Sequence, residues 1–544
     1  MIRLPPQLEG HSGRSRSVWT AGCESIRREP LTSDARADVC VVGAGISGLT
    51  TAYLLALDGR RVIVIDDGPV AGGETERTTA HLVDALDDRY YELERLHGSE
   101  GARLAAQSHS AAIDTIEKIV RDEAIQCEFE RLDGYLFLPD GVDASLLDRE
   151  LAAARRAGLG SVARIERTPL PSYDTGPCLR FPRQGQLHPL QYLAGLVLAI
   201  ERLAGRIFTG THVTGIHGGK FARVEANGHR VTTQAVVVAT NSPINQRIGI
   251  HPKQAAYRSY VIAAPVDGEL VAKALYWDAC ATGGGECAPG SSYHYVRLAQ
   301  HPTRSGSHLL IVGGEDHKTG QADDADERYR RLEAWASERF PITGATEFRW
   351  SGQVLEPADS LAFIGRDPSE EANVYIASGD SGNGMTHGTI AGMLISDLIA
   401  GRPNPWTKLY DPGRITLRSL PNLVHENLNA TAQLKEWVTP GSRDSVDQIP
   451  AGCGAVLRKG LSKIAAYRDD DGELVLLSAV CPHLQCIVAW NSSERTWDCP
   501  CHGSRFDARG RVVNGPAISD LSPHESDEAV GEVEIRHEEG VPHA

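Results

Sequence analysis

The sequence predicts an open α/β unit built on a buried parallel sheet, followed by a small all-β module. Three observations carry that reading. Residues 38–66 alternate between buried-strand, glycine-rich-turn, helix and strand patterns; helix breakers crowd the chain just past Gly401; and beyond residue 447 short strands carry four cysteines and two histidines in one stretch. At 544 residues the chain is too long for one compact domain. Apolar residues at 41% and charged residues at 23% match a folded globular protein and exclude wholesale disorder. Acidic residues outnumber basic ones, 71 to 55, and a formal charge of −16 repels a polyanion, so no nucleic-acid partner is expected. The longest apolar run, Tyr192–Ile200, ends at Glu201, short of the roughly 20 residues of a membrane span. The first 35 residues are polar and Arg-rich, without the apolar stretch of a signal peptide. No transmembrane segment and a cytoplasmic location are expected.

Residues 1–36 read as an irregular arm. The apolar runs Val39–Val42 and Val62–Ile65 suit strands buried on both faces of a parallel sheet. Between them Leu49, Ala52, Tyr53 and Ala56 recur at helical spacing, and Gly59 stands where a helix C-cap belongs. Gly43, Gly45 and Gly48 form G-x-G-x-x-G in the strand–turn–helix setting of a dinucleotide fingerprint, and Asp66 closes the second strand 23 residues beyond Gly43. The first glycine permits the turn, the second lets backbone approach a pyrophosphate, and the third lets helix and strand pack closely. The helix N-terminus, with Ser47 in its first turn, then offers N–H groups and partial positive charge to phosphate, while Asp66 accepts from ribose hydroxyls.

A long helical stretch is expected next, with Leu82, Leu86, Tyr90 and Leu93 on one stripe and Ile113, Ile116 and Val120 on a second. Residues 129–410 mix short strands and helices, so the first unit is expected over 37–410. Residues 411–446 read as a linker. Within it Pro421–Val438 places Leu423, Leu428 and Leu434 among polar residues: a linker helix packed on its own protein is the expectation, contact with a membrane surface the alternative. Residues 447–544 form the all-β module.

Four further segments resemble the D-amino-acid oxidase and glycine oxidase family. "AVVVATNSP" (235–243) and "NVYIASGDSGNGMTHGTIAG" (373–392) look like its second and third FAD-contact segments, and "WSGQVLEPADSLAFIG" (350–365) matches its W-x-G…P-x-D…I-G pattern, with Ala362 where that family usually has proline. "FPRQGQLHPLQYLAGL" followed by "THVTGI" is similar to its central stretch, where Val213 meets the adenine end. The resemblance covers most of residues 37–410. It implies a Rossmann-like FAD-binding domain of the glutathione-reductase and glycine-oxidase type, with an interleaved α+β substrate domain. Gly379, Gly384, Met385 and Thr386 then lie beside the flavin, at a helix N-terminus that stabilises negative charge on it. "GGETERTTAHL" (72–82) is where that family brings its chain past the flavin ring. It makes Thr78 and Thr79 cofactor contacts and His81 a catalytic candidate, against the alternative of a threonine helix cap. Tyr260 and Arg349 are further catalytic candidates, and His188, Tyr192 and Tyr257 weaker substrate-side ones. No second G-x-G-x-x-G occurs in a strand–turn–helix setting, so no separate nicotinamide domain is expected.

Cys481-x-His483, fifteen intervening residues and Cys499-x-x-His502 offer two thiolates and two imidazoles on two loops. Zinc accepts such a set. C-x-H with C-x-x-H inside a β module also closely resembles a Rieske [2Fe-2S] domain, in which two cysteines hold one iron and two histidines the other. With thiolates in place of both imidazoles the oxidised cluster would carry two negative charges; with the imidazoles it is neutral, so its potential rises toward about −150 to +300 mV. The resemblance further implies a disulfide between Cys486 and Cys501, a hydroxyl from Ser504 to a bridging sulfide, and a shielding loop at Asn514–Ala517. Phe506 replaces the tyrosine of the respiratory proteins, which removes one hydrogen bond and lowers the expected potential. The seven scattered cysteines (Cys23, Cys40, Cys127, Cys178, Cys280, Cys287 and Cys453) read as buried bystanders. A mononuclear-iron oxygenase needs two histidines and a carboxylate, and the one H-x4-H pair, His212 and His217, has no carboxylate preceding it at useful distance.

The combined expectation is a dehydrogenase. A small-molecule substrate, an amine or amino acid, gives a hydride to FAD, and electrons leave singly through the cluster to an external acceptor, a protein or quinone. The alternatives are an oxygen-using oxidase with a sensory or structural cluster, and a pure electron-transfer module.

Overall fold

The computed structural model describes residues 12–139, 141–245, 249–279, 293–369 and 372–524. A six-stranded sheet forms the centre of the first unit. Val39–Val42 lies between Val62–Ile65 and Ala235–Val238; Arg206–Phe208 and Val374–Ser378 extend the parallel set, and Phe363–Arg366 closes one edge antiparallel. The central strands are buried along their whole length, as their unbroken apolar runs require. Helix Ile46–Leu57 follows the first strand, and Gly59 takes a positive φ just past its end. It packs on helix Gly384–Ala400. A Cβ on Gly388 would stand 2.7 Å from the Ile46 side chain, so glycine sets how closely these helices approach. Their N-termini therefore emerge side by side.

A nine-stranded, mostly antiparallel sheet faces the first across a cavity, with Gln254–Val266 paired to Phe348–Pro357 and His308–Lys318. The stripe expected from Leu82 through Leu93 is not one helix. His81–Leu82 is a short strand paired with residues 185–186, and the helix starts at Tyr90, running to Asp122 with a bend at Gly98. The cause is tertiary: the buried Arg297 guanidinium takes the carbonyls of Thr79, Ala80 and Leu187, holding this passage in irregular backbone. Of the scattered cysteines, Cys40, Cys127 and Cys178 are buried and Cys23 and Cys453 only half-buried, while Cys280 and Cys287 lie outside the described residues.

The C-terminal module has a three-stranded sheet (Cys453–Lys459, Ser462–Arg468, Leu474–Ser478) and a four-stranded one (Ala489–Asn491, Thr496–Asp498, Arg505–Asp507, Val512–Asn514). Trp497 and Phe506 fill its core. The linker holds helix Leu420–Ala432 and a 3-10 segment Gln433–Trp437. This helix packs on its own protein, though it buries none of its residues fully. Its polar side faces inward: Asn427 donates to the Pro252 carbonyl, and Glu426 pairs with Lys318.

One buried carboxylate fastens the module to the body. Glu494 pairs with Arg77 and Arg258, each at 3.3 Å, and accepts hydrogen bonds from the hydroxyls of Ser351 and Ser15. The arm completes the joint: Arg77 also donates to the carbonyls of Gly13 and Ser15, and Arg505 of the module donates to that of Ser12. Burial raises the Glu494 pKa, but Arg77, Arg258 and Arg505 outweigh it and hold the carboxyl at about 2. Glu494→Ala should therefore cost about 3–5 kcal/mol, because it strands buried guanidinium groups, and should bring forward the module's transition in chemical unfolding. The same contribution is complete above the ordinary carboxylate value of about 4.3 and is lost as pH falls toward 2, which unfolding midpoints measured against pH would show in wild type and not in Glu494→Gln.

Candidate functional site

A cavity of about 1130 Å³ opens at the carboxyl ends of the parallel strands, where open α/β sheets bind ligands. Gly43, with φ +106°, sits where a Cβ would approach the Ala239 carbonyl oxygen to 2.4 Å, and a Cβ on Gly48 would stand 1.9 Å from the Gly43 oxygen. Gly43, Gly45 and Ser47 line the cavity, whereas Gly48 only packs the turn. Asp66 also lines it. Its carboxylate accepts the amides of Ala44 (2.6 Å) and Gly68 (2.8 Å), and its oxygens have lone-pair capacity beyond these two bonds. Val213 forms part of the same wall. This cradle fits a dinucleotide: bare backbone at the turn, a helix N-terminus and an acceptor at the second strand's end.

At the other end Gly384 and Met385 line the cavity at the N-terminus of their helix. Thr386 does not, because its hydroxyl bonds His109 Nδ1 at 2.8 Å in the core, and Gly379 supplies a positive-φ turn behind the wall. Thr78, Thr79 and His81 all face the cavity. Trp19 of the arm bonds the Thr78 carbonyl at 2.6 Å, and His81 bonds the Thr79 hydroxyl and the Val296 carbonyl. Burial and then Arg297 push the His81 pKa down to about 3, so the ring is neutral across the physiological range.

Two candidates are corrected by strand alternation and partner choice. Tyr257, Ser259 and Val261 face the cavity, so Tyr260 faces the opposite side, bonded to His317 and packed edge-on against Tyr329. Arg349 pairs with Glu333 and has a side chain 45% exposed, away from the cavity. Neither meets a substrate there. Of the weaker candidates, Tyr257 lines the cavity, His188 caps the helix Pro189–Arg202 and Tyr192 is core.

Five carboxylates on the cavity wall, four of them half-buried and Asp316 exposed, had no sequence signal. Asp88 and Glu356 share the Ser381 hydroxyl, Asp87 accepts from Tyr293, and Asp316 and Asp380 stand nearby. Desolvation raises all five pKa values, Asp88 and Asp316 to about 6 and Asp380 to about 7. Among the described residues none of the five joins an ion pair. The lining cations, by contrast, have partners: Arg77 with Glu494, Arg328 with Asp324, Arg331 with Glu315, Lys318 with Glu426, and Arg89 with two carbonyls.

In the C-terminal module Cys481 and Cys499 are buried and hydrogen-bonded to each other, while the His483 and His502 rings stand perpendicular with centroids 5.1 Å apart. His502 Nδ1 is buried with no hydrogen-bond partner, as a ligating nitrogen would be. The donors form a sulfur pair and an imidazole pair. Among the described residues the single tight His/Cys/Asp/Glu group is Cys486, Cys499 and Cys501, and Cys486 is bonded to Cys501, so no four-donor zinc shell exists. Ser504 is fully buried and bonded to Cys481, and its hydroxyl accepts the Ala517 amide at 3.0 Å, tying the cluster loop to the shielding loop.

Both loops reach the first unit. Asn514, Gly515, Ala517 and Ile518 line the dinucleotide cavity. Gln353, also on that wall, donates to the carbonyl of Gly503, the residue after His502. His251, which is buried, lies edge-on to both cluster histidines, its centroid 5.0 Å from His483 and 6.5 Å from His502. Sequence reasoning missed this histidine because nothing adjacent to it marks a metal site. No helix among the described residues is long and apolar enough to cross a membrane.

A family model described as FAD dependent oxidoreductase matches residues 38–398, and one described as Rieske [2Fe-2S] domain matches residues 443–525. The Bacillus subtilis (strain 168) protein YhfW, named as a Rieske 2Fe-2S iron-sulfur protein, is 31% identical over 93% of this chain and 96% of its own length. The Escherichia coli (strain K12) gamma-glutamylputrescine oxidoreductase is 25% identical over 69% of this chain and 86% of its own. The crystal structure of glycine oxidase from Geobacillus kaustophilus superposes with a TM-score of 0.57 at 18% identity, over 70% of this chain and 99% of that one. The chain therefore belongs to the FAD-dependent oxidoreductase family and carries a C-terminal Rieske domain, with FAD as the cofactor of the first unit and a [2Fe-2S] cluster as that of the second.

Proposed function

We propose that this protein is an amine dehydrogenase that sends electrons from FAD through its own Rieske cluster to an external acceptor. The observation that carries the reading is the joint occupation of one boundary. The cluster-shielding loop walls the cofactor cavity, and the cluster histidines pack on His251 of the flavin unit. In this reading Gly43, Gly45, Ser47, Asp66 and Val213 hold the adenine, ribose and pyrophosphate portion, and Thr78, Thr79, Gly384 and Met385 border the ring. Cys481, Cys499, His483 and His502 hold the cluster. When bound, FAD supplies a two-electron acceptor for a hydride from a carbon next to nitrogen, and the cluster supplies a one-electron carrier.

The chain's own residues orient the substrate. A carboxylate-bearing substrate needs an available cation, and every lining arginine and lysine is already committed. The five unpaired carboxylates instead ask for positive charge, which an ammonium supplies at the wall of Asp87, Asp88 and Glu356. A neutral His81 adds no competing charge. On the module side the cavity is lined by Asn514, Gly515 and Ala517. The relative named for gamma-glutamylputrescine, itself an amine derivative, supports the same class.

Anaerobic titration with an amine panel tests the whole reading: flavin bleaching followed by loss of the oxidised-cluster absorbance supports it, and bleaching with a cluster that stays oxidised ends it. Asp88→Asn and Glu356→Gln should each raise the apparent KM for the amine about tenfold to hundredfold with little change in flavin content. For wild type, amine affinity should improve as pH rises through about 6 to 7, the range in which Asp88, Asp316 and Asp380 ionise, and steady-state KM against pH would show it. His251→Ala should slow cluster reduction by roughly tenfold while flavin bleaching keeps its wild-type rate, measured by stopped flow at two wavelengths.

A further inference from the structure

The linker helix is built inside out. Its polar residues Glu426, Asn427 and Asn429 contact the body and Ala430 packs on the Rieske core, while Leu420, Val424 and Leu428 point to solvent. Leu417, Leu420, Val424 and Leu428 recur at three- and four-residue steps, Leu434 and Val438 follow in the 3-10 segment and just past it, and all six are exposed, Leu417 at 75%, Leu428 at 65% and Val438 at 71%. A helix that served only to connect two domains would turn this stripe inward. Val438 meets the hairpin between Cys453–Lys459 and Ser462–Arg468, because Arg458 donates to the Val438 carbonyl at 2.6 Å. The tip of that hairpin is Leu461, 86% exposed. A contiguous apolar face thus runs along the linker onto the Rieske module, far beyond the singly scattered apolar residues of an ordinary surface.

Charge identifies what covers it. Arg418, Lys435, Arg458 and Lys459 border the face, are exposed, and join no ion pair among the described residues. The whole chain carries −16, so four cations beside exposed leucines, with Glu436 the one acidic residue in the 3-10 segment, depart from its average surface. Leucines at a helix surface ringed by lysine and arginine match the boundary between acyl chains and anionic headgroups. A second copy of this chain would bring the same cations against each other.

We propose that this face, the stripe 417–438 with the Leu461 hairpin, docks the protein on an anionic lipid surface. The cluster lies at the docked side. Trp437 of the linker donates to the Gln485 carbonyl in the first cluster loop, and the neighbouring Leu484, next to His483, is exposed. The proposal is independent of the amine reading, since it rests on surface chemistry alone.

The test is flotation of the full-length holoprotein with phosphatidylcholine vesicles containing increasing phosphatidylglycerol. The bound fraction should rise with anionic lipid and fall with added salt. Leu428→Glu and Val424→Glu should lower it at least about tenfold with unchanged flavin and cluster spectra, since both side chains are already in solvent. Lys459→Gln should lower it about fivefold, and the Arg458→Gln, Lys459→Gln pair further. Three outcomes overturn the proposal. The protein fails to float with any vesicle; it floats equally after Leu428→Glu; or it floats only once residues 525–544 are removed, which would make its own C-terminal segment the occupant. A wild-type dimer in sedimentation that Leu428→Glu splits, without vesicle binding, would assign the face to a second copy instead.

Discussion

The architecture depends on how one buried carboxylate is neutralised. Glu494 sits in a turn of the Rieske module, yet its partners Arg77, Arg258 and Ser351 all belong to the flavin unit, and Ser15 belongs to the arm. A buried ion pair is a weak source of net stability, because desolvation offsets most of the attraction. It is a strong source of register, since any displacement leaves charges unpaired in a dry interface. The two units can therefore meet in one orientation, and that orientation brings the shielding loop to the cavity and the cluster histidines to His251.

The same logic of uncompensated charge organises the cavity. Two helix N-termini open into it side by side, set close together by Gly388, and each offers partial positive charge, one at the G-x-G-x-x-G turn and one at Gly384. The carboxylates gather beside the second of them: Asp380 and Ser381 lie just before Gly384, and Ser381 bonds both Asp88 and Glu356. On the proposed function, a cationic substrate would meet that acidic wall next to the helix end that borders the cofactor. Arg297 contributes indirectly: by taking three carbonyls it fixes Thr78–His81 against the cavity, and its charge helps hold His81 neutral.

Local sequence revealed what local sequence encodes. The βαβ unit, the helix Gly384–Ala400 and the Cys/His loops all rest on spacing within a few residues, and each forms where expected, although Gly379 and Thr386 do not line the cavity. What escaped was tertiary. Tyr260 and Arg349 looked like substrate residues by chain position, but strand parity turned one outward and Glu333 took the other. The expected Leu82–Leu93 helix failed because Arg297, more than two hundred residues later, supplied hydrogen bonds that irregular backbone could use. The acidic wall gathers residues from four separate segments, so no window of sequence contains it. His251 and Glu494 are single residues whose meaning comes from what a distant segment places beside them. The linker helix meets its own protein as expected, but through Glu426, Asn427 and Asn429, with Leu428 and Leu434 left exposed, and which side faces inward is something periodicity does not encode.

Direction also bears on how electrons would cross the molecule. In a free-standing cluster domain the histidine edges are the natural contact for a partner, but here they face the flavin unit, edge-on to His251. Gln353 makes a second link, lining the cavity with one atom group and bonding the Gly503 carbonyl, one residue from His502, with another. On the proposed function, both features would put the entry point at the imidazoles. Leu484, the exposed residue beside His483, opens toward the linker helix, so an outside acceptor would meet the same loop without the module leaving its dock. That is consistent with an interface held by buried charge instead of by a mobile tether.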